Sequence, residues 1–337
     1  MKKVVVTLLI IAVIVVGFIG CQQGWFGGES GGENGDDELT LISIAQIMSH
    51  PALDAAREGF ISQLAELGFV EGENVRFTSF NAQGESGALA SIATQIVNSE
   101  PALILSIATP TSQSLANETD TIPIVITAVT NPLLVGGIES LERPGSNVTG
   151  VSDLTPVVSQ LELMMEMLPE TETIAIIYNA GEVNSVYQAD MAAAAARELG
   201  IEYRRVTVTG THDIAQVAES VVGLVDAIYV PTCNTIATAY ATLITVADAA
   251  GVPVIVGESA GVTAGALATS GIDYYELGRQ TAVMAARILR GEATPATMPI
   301  QWQDSDKTTT TINITTANQL GIEIPQSILD VATIIED

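Results

Sequence analysis

What most constrains this chain is an alternation that persists from Leu39 to its C-terminus: short apolar runs rich in β-branched residues, each followed by a segment of helical period. LTLISIAQI reads as a strand, and after it Leu53, Ala56, Phe60, Leu64 and Leu67 recur at helical spacing until Gly68. NVRFTSF, PALILSI and IPIVITAV repeat the strand signal, with helical SGALASIATQIVNS and TPTSQSLANE between them. Strands apolar on both faces and separated by helices predict a parallel sheet covered by helices, an α/β fold. A second series of the same plan follows Thr155, through TIAIIY, IEYRRVTV, DAIYVP and VPVIV. Two Rossmann-like lobes with parallel sheets are therefore predicted in tandem, with ERPGSNVTGVSDLTP (142 to 156) as the crossing between them. TIATAYATLITVADAAG reads as one helix, DYYELGRQTAVMAARILRG as a late one, and MPIQWQ and TTTTINITT as strands.

The 337 residues carry 12 Lys and Arg against 39 Asp and Glu, a formal charge of −27, which repels phosphate backbones and excludes a nucleic-acid partner. MKKVVVTLLIIAVIVVGFIGC, with two lysines, an apolar run and a Cys after a small residue, predicts a secretory signal over residues 1 to 20. Its Gly-Cys end resembles a lipoprotein processing site that would lipidate Cys21; the alternative is an uncleaved membrane anchor. Both place the body outside the cytoplasm, anchored to the outer face of the cell membrane. Residues 21 to 38, rich in Gly and acids, read as a flexible tether. With Cys21 lipidated, Cys233 stands alone and no disulfide is expected. Asn117, Asn147 and Asn313 begin Asn-x-Thr sequons.

In open α/β sheets ligands bind beyond the carboxyl ends of the strands. Those ends here are AQIMSHP, NAQG, IATPTSQ, TAVTNP, VSDL, YNAGEVNS, VPTCN and GESAG, rich in small polar residues and poor in charge. Helix starts with Asn or Ser side chains favour an anion such as a carboxylate, so Asn184 and Ser185 are predicted to present donors to a small ligand, against the alternative that they cap their own helix. GESAG has the Gly-x-Ser-x-Gly form of a hydrolase nucleophile elbow. That fold needs a histidine after the nucleophile, and the only two, His50 and His212, both precede Ser259. An enzyme is not expected. No zinc spacing, EF-hand, P-loop or dinucleotide fingerprint occurs, so no metal and no cofactor are predicted. His50, before Pro51, reads as a helix-start or pocket-rim residue.

These loops, with PGSNVTGVSD, QLELMMEMLP and GIDYYELGRQTAVMAARILRGE, resemble the solute-binding proteins of ABC importers, specifically the group that includes tryptophan-binding lipoproteins, over roughly residues 40 to 320. The resemblance implies a type I periplasmic-binding fold of two lobes joined by a three-stranded hinge. Lobe 1 would be 39 to 153 plus 273 to 291, and lobe 2 would be 154 to 272 plus 292 to 337. It implies capture of an amino acid, aromatic or otherwise, or a similar small solute by hinge closure, and delivery by a monomer to a membrane permease. A sensory binding lipoprotein with the same fold is the alternative.

Carried over by position, the resemblance implies a cleft built from Gln46, Thr109, Thr130, Ser152, Asp153, Asn184, Ser185, Thr232, Asn234 and Asp273. Thr109, Asn184 and Ser185 would meet a ligand carboxylate, and Asp153 or Asp273 its ammonium. The group often has Asp where this chain has Cys233; Glu258 is the acid available to replace it.

Overall fold

The computed structural model describes residues 39–303 and 308–336. The expected signal segment, Cys21 and the tether lie outside them.

The first lobe runs β1 (Thr40–Gln46), α1 (Pro51–Glu66), β2 (Val75–Asn81), α2 (Leu89–Asn98), β3 (Leu103–Ile107), α3 (Thr109–Glu118), β4 (Ile124–Val129) and β5 (Val148–Ser152). The second runs α4 (Val157–Met167), β6 (Thr173–Asn179), α5 (Val183–Leu199), β7 (Glu202–Val208), α6 (Ile214–Glu219), β8 (Ala227–Val230), α7 (Asn234–Ala237), α8 (Tyr240–Ala249), β9 (Val254–Val256), α9 (Ser259–Thr263) and β10 (Ala268–Gly271). The chain then forms α10 (Tyr274–Leu289), β11 (Gln301–Trp302), β12 (Thr309–Asn313), α11 (Ile314–Leu320), α12 (Gln326–Leu329) and β13 (Thr333–Ile335).

The strands make two sheets, β11-β5-β4-β3-β1-β2 and β13-β12-β10-β9-β8-β6-β7. Pairing is parallel throughout except where β12 runs antiparallel to β10. Central strands such as β3 and β4 are buried along their whole length, as the unbroken apolar runs require. Gly200, in the left-handed region at φ 75°, ends α5 where the sequence predicts.

Three features differ from the sequence expectation. TIATAYATLITVADAAG is broken at Ala239 into α7 and α8, because the first turn of α7 is held by contacts from another loop. TTTTINITT is a strand only to Asn313, whose side chain accepts from Thr316 N at 3.0 Å and starts α11. Gln301–Trp302 pairs with β5, so part of the 292 to 337 segment assigned to lobe 2 returns to the first sheet. The Thr149 hydroxyl donates to Met298 O at 2.8 Å and fixes that return. Of the three sequons, Asn117 is exposed, Asn147 is partly buried and Asn313 is fully buried.

The chain passes between the sheets after β5, after β10 and between β11 and β12. The helix α10 packs along α1 on the first lobe. Their approach requires glycine on each side: a Cβ on Gly278 would lie 1.9 Å from Ala56 O, and one on Gly59 would lie 2.0 Å from Tyr275 O. This packing sets where α10 begins, and therefore where Tyr274 points.

Candidate functional site

Apart from a space of about 500 Å³ beside Pro51, Ser259 and Thr311, two spaces lie between the lobes among the described residues. A wide recess of about 850 Å³ is bounded by Met48 and Gln83 on one side and by Thr209 and His212 on the other. The second is a small enclosed cavity lined by residues of both lobes, among them His50, Asp153, Asn184 and Glu258. Buried polar atoms decide between them. Five side-chain atoms of the cavity lining are buried with no hydrogen-bond partner in the protein: His50 Nδ1, Asp153 Oδ1, Asn184 Oδ1, Thr232 Oγ1 and Glu258 Oε1. No residue lining the recess has such an atom. Unanswered buried polar groups are expensive, so their concentration here makes the cavity the candidate site.

Strand ends deliver one wall. His50 follows β1, Thr130 follows β4 and Asp153 follows β5. Ala128, in the same wall, has φ 54°, and the register of β4 against β5 shifts between Ile126 and Val129. A non-glycine residue in that region is strained, and such strain gathers at ligand sites. Tyr274 closes this wall, its hydroxyl donating to Asp153 Oδ2 at 2.9 Å.

The opposite wall rests on an internal polar frame. Glu182, in the turn YNAGEVNS, does not cap its own helix. Its carboxylate reaches α7 instead, accepting from Asn234 N and Thr235 N, both at 2.9 Å, and from Asn234 Nδ2 and the Thr235 hydroxyl, both at 2.6 Å. Gln188 Oε1 accepts from Thr232 N at 3.1 Å. Gln160 Nε2 donates to Gly257 O and Ser270 O, at 3.3 and 2.7 Å, which braces the turn that carries Glu258. His50 Nε2 and Asn234 Oδ1 lie 3.4 Å apart and join the walls.

The cavity is acidic. Burial pushes the Asp153 carboxyl up to about 6, against the hydrogen bond from Tyr274, with the nearby Glu258 charge adding to the rise. Burial also raises Glu258, opposed by His50 and Tyr240. Neither Lys nor Arg lines the space. The Cys233 thiol is raised by burial and by Glu182, which makes it an inert wall residue.

Of the residues expected in the cleft, Thr130, Asp153, Asn184, Thr232 and Asn234 line this cavity. The others lie outside its lining. The Gln46 amide is used within lobe 1, by Met48 O, Asp54 and Arg57. Thr109 is buried with its hydroxyl unpartnered. The Ser152 hydroxyl braces Thr130 O at 3.0 Å, and Asp273 caps α10 through Tyr275 N and Glu276 N. Asn184 and Ser185 turn their donors inward to Thr232 O, at 3.2 and 3.3 Å, so Asn184 offers the cavity an acceptor rather than a donor. Tyr274 carries no sequence signal for this role, since only the crossing after β10 brings it to Asp153. Ser259 of GESAG is exposed and lies outside the cavity lining, while His212 is exposed on the recess. Among the described residues no cluster of His, Cys, Asp and Glu can hold a metal ion, and no helix is long and apolar enough to cross a membrane.

The profile of the family described as ABC transporter substrate binding protein matches residues 41–335. A tyrosine-binding protein of Clostridioides difficile strain R20291 is 36% identical over 296 residues, covering 87% of this chain and 86% of that protein. A Streptococcus pneumonia ABC domain solved in complex with L-Trp superposes with a TM-score of 0.85 at 34% identity, covering 88% of this chain and 100% of the other. The ligand-free, open structure of a Clostridium difficile substrate-binding protein with adhesive properties gives 0.68 at 37% identity, over 88% of this chain and 99% of the other. At nearly equal sequence distance and coverage, the present structure superposes better on the ligand complex than on the open, ligand-free structure. The fold is that of the type I periplasmic-binding proteins, and the family is one of binding proteins, not enzymes. With its two α/β lobes, three crossings and polar cavity between them, the chain belongs to the ABC transporter substrate-binding proteins.

Proposed function

We propose that this protein captures an α-amino acid, with L-tyrosine and L-tryptophan as the first ligands to test, and hands it to a membrane permease. The observation that carries the reading is the cavity: Asp153 from one wall and Glu258 from the other, both buried, both with an oxygen left without a partner, and neither Lys nor Arg beside them. An ammonium group between them would satisfy both and bridge the lobes. A ligand held by both walls shifts the open and closed populations, whereas one held by a single wall does not. Leu53, Ala128 and Ala237 supply an apolar lining for a side chain. In this structure the cavity measures only about 10 Å³, so the walls must part to admit a ligand of this size and then close upon it.

Family membership puts the protein outside the cytoplasm. Lipidation at Cys21 and the tether from 22 to 38 would keep it beside the permease; energy for transport would come from an ATPase across the membrane.

The test is calorimetric titration of residues 39 to 337, unfolded and refolded to strip bound solute, with the twenty L-amino acids. Saturable binding confined to one or a few of them supports the reading. A flat response to all twenty, together with binding of a sugar or an anion, would overturn it.

A further inference from the structure

The side-chain atoms left free in the cavity are unequal in kind. Asp153 Oδ1, Asn184 Oδ1 and Glu258 Oε1 are acceptors, since Asn184 Nδ2 already donates to Thr232 O at 3.2 Å. Asn234 Nδ2 is held by Glu182 at 2.6 Å, so Asn234 presents its oxygen to His50, and His50 Nε2 must carry the proton there. Of the five unpartnered atoms, Thr232 Oγ1 is the one that belongs to a hydroxyl and can donate without a change of protonation.

Helix starts, the usual anion sites of such folds, are also answered by the protein itself at two places in the wall. Glu182 occupies the first turn of α7 and Asp273 that of α10. Among its unpartnered side-chain atoms, the lining offers a ligand carboxylate one hydroxyl donor beside two carboxyl groups, while it offers a primary ammonium Asp153, Asn184 and Glu258, acceptors on two lobes.

We propose that the ligand's ammonium group alone is sufficient for recognition and closure, so that carboxylate-free arylalkylamines are a second ligand class of this cavity. The inference rests on the reading that this cavity is the ligand site. It assigns the positioning role across the cleft to Glu258, which with Asp153 holds the nitrogen between the lobes. Burial raises both carboxyls, and a positive charge between them offsets that cost without help from a ligand carboxylate.

The experiment is titration of the stripped chain with L-tyrosine and L-tryptophan, with tyramine and tryptamine, and with the deaminated acids 3-(4-hydroxyphenyl)propionate and indole-3-propionate. Small-angle scattering reports closure in each case. The expected result is amine affinity within about tenfold of the matching amino acid, no binding of the deaminated acids, and compaction by the amines. In Glu258→Gln, amine affinity is expected to fall by about tenfold or more while the melting temperature does not fall. Binding of the amino acids without the amines overturns this inference and leaves the amino-acid reading standing. Binding of the amines without the amino acids supports the inference and removes that reading. Binding of neither overturns both.

Discussion

The Tyr274 hydroxyl donates to Asp153 Oδ2 at 2.9 Å, joining the crossing that follows β5 to the one that follows β10. The bond leaves Asp153 Oδ1 facing the cavity without a partner. A contact between two hinge segments thus also aims the carboxylate at the cavity, so one side chain serves both the cavity wall and the lobe connections.

Asp153 should make the ligand-free protein less stable as pH rises. Its carboxyl is raised from 3.8 to about 6 in the folded chain, so the neutral form is the favoured one. Its stabilising contribution is complete below about pH 4 and is lost as pH climbs through about 6. Asp153→Asn should therefore gain about 2–3 kcal/mol at pH 7 and lose the acid-side rise in melting temperature. Thermal melts of both proteins from pH 4 to 8, without ligand, check it; parallel curves would refute the assignment.

Removing the Glu182 carboxylate should unsettle the second wall. Four donors of Asn234 and Thr235 converge on it inside the fold, and Glu182→Ala leaves them buried without an acceptor. A loss of about 3 kcal/mol or more is expected in urea unfolding, with weaker ligand binding because Asn234 no longer holds His50. Unchanged stability would mean that water replaces the carboxylate at no cost.

Gly278→Ala should be severe although it adds one methyl group. The new Cβ would meet backbone, not a side chain that can swing aside, and must push α10 away from α1. A loss of about 3 kcal/mol or more is expected, seen as a lowered melting temperature with a change in the near-ultraviolet signal of Tyr274. A melting temperature equal to the parent's would show that the two helices slide freely.

Ser259→Ala should change nothing. The hydroxyl is exposed and outside the cavity lining. Ligand affinity within about twofold of the parent is the expected titration result. A large loss would bring the GESAG turn back into the site.

Most of the architecture is legible in the chain itself. Strands such as ILSI and IVITAV must be buried on both faces, the spacing of Leu53, Ala56, Phe60 and Leu64 fits a helix with one apolar face, and Gly200 ends α5 as the sequence requires. The loops beyond the strand ends are legible as a class too, and Thr130, Asp153, Asn184, Thr232 and Asn234 among them do line the cavity. Which atom each presents is not. The turn YNAGEVNS looks like a donor platform, yet its most consequential residue is Glu182, whose carboxylate serves a helix some fifty positions along the chain. Asp273 and Asp153 are equivalent as letters; one caps α10 and the other is buried in the cleft.

Local physics explains the division. Hydrophobic period, turn chemistry and the helix-ending glycine act within a few residues, so the sequence by itself determined the two α/β lobes, the order of their elements and the polar character of the strand ends. Hydrogen-bond partners that are distant in sequence are chosen only when the lobes form and close. The tertiary structure alone therefore decided that Tyr274 meets Asp153, that Glu258 stands in the opposite wall of the same cavity, and that more acceptors than donors remain free there, since most buried donors find a carbonyl or carboxylate within reach.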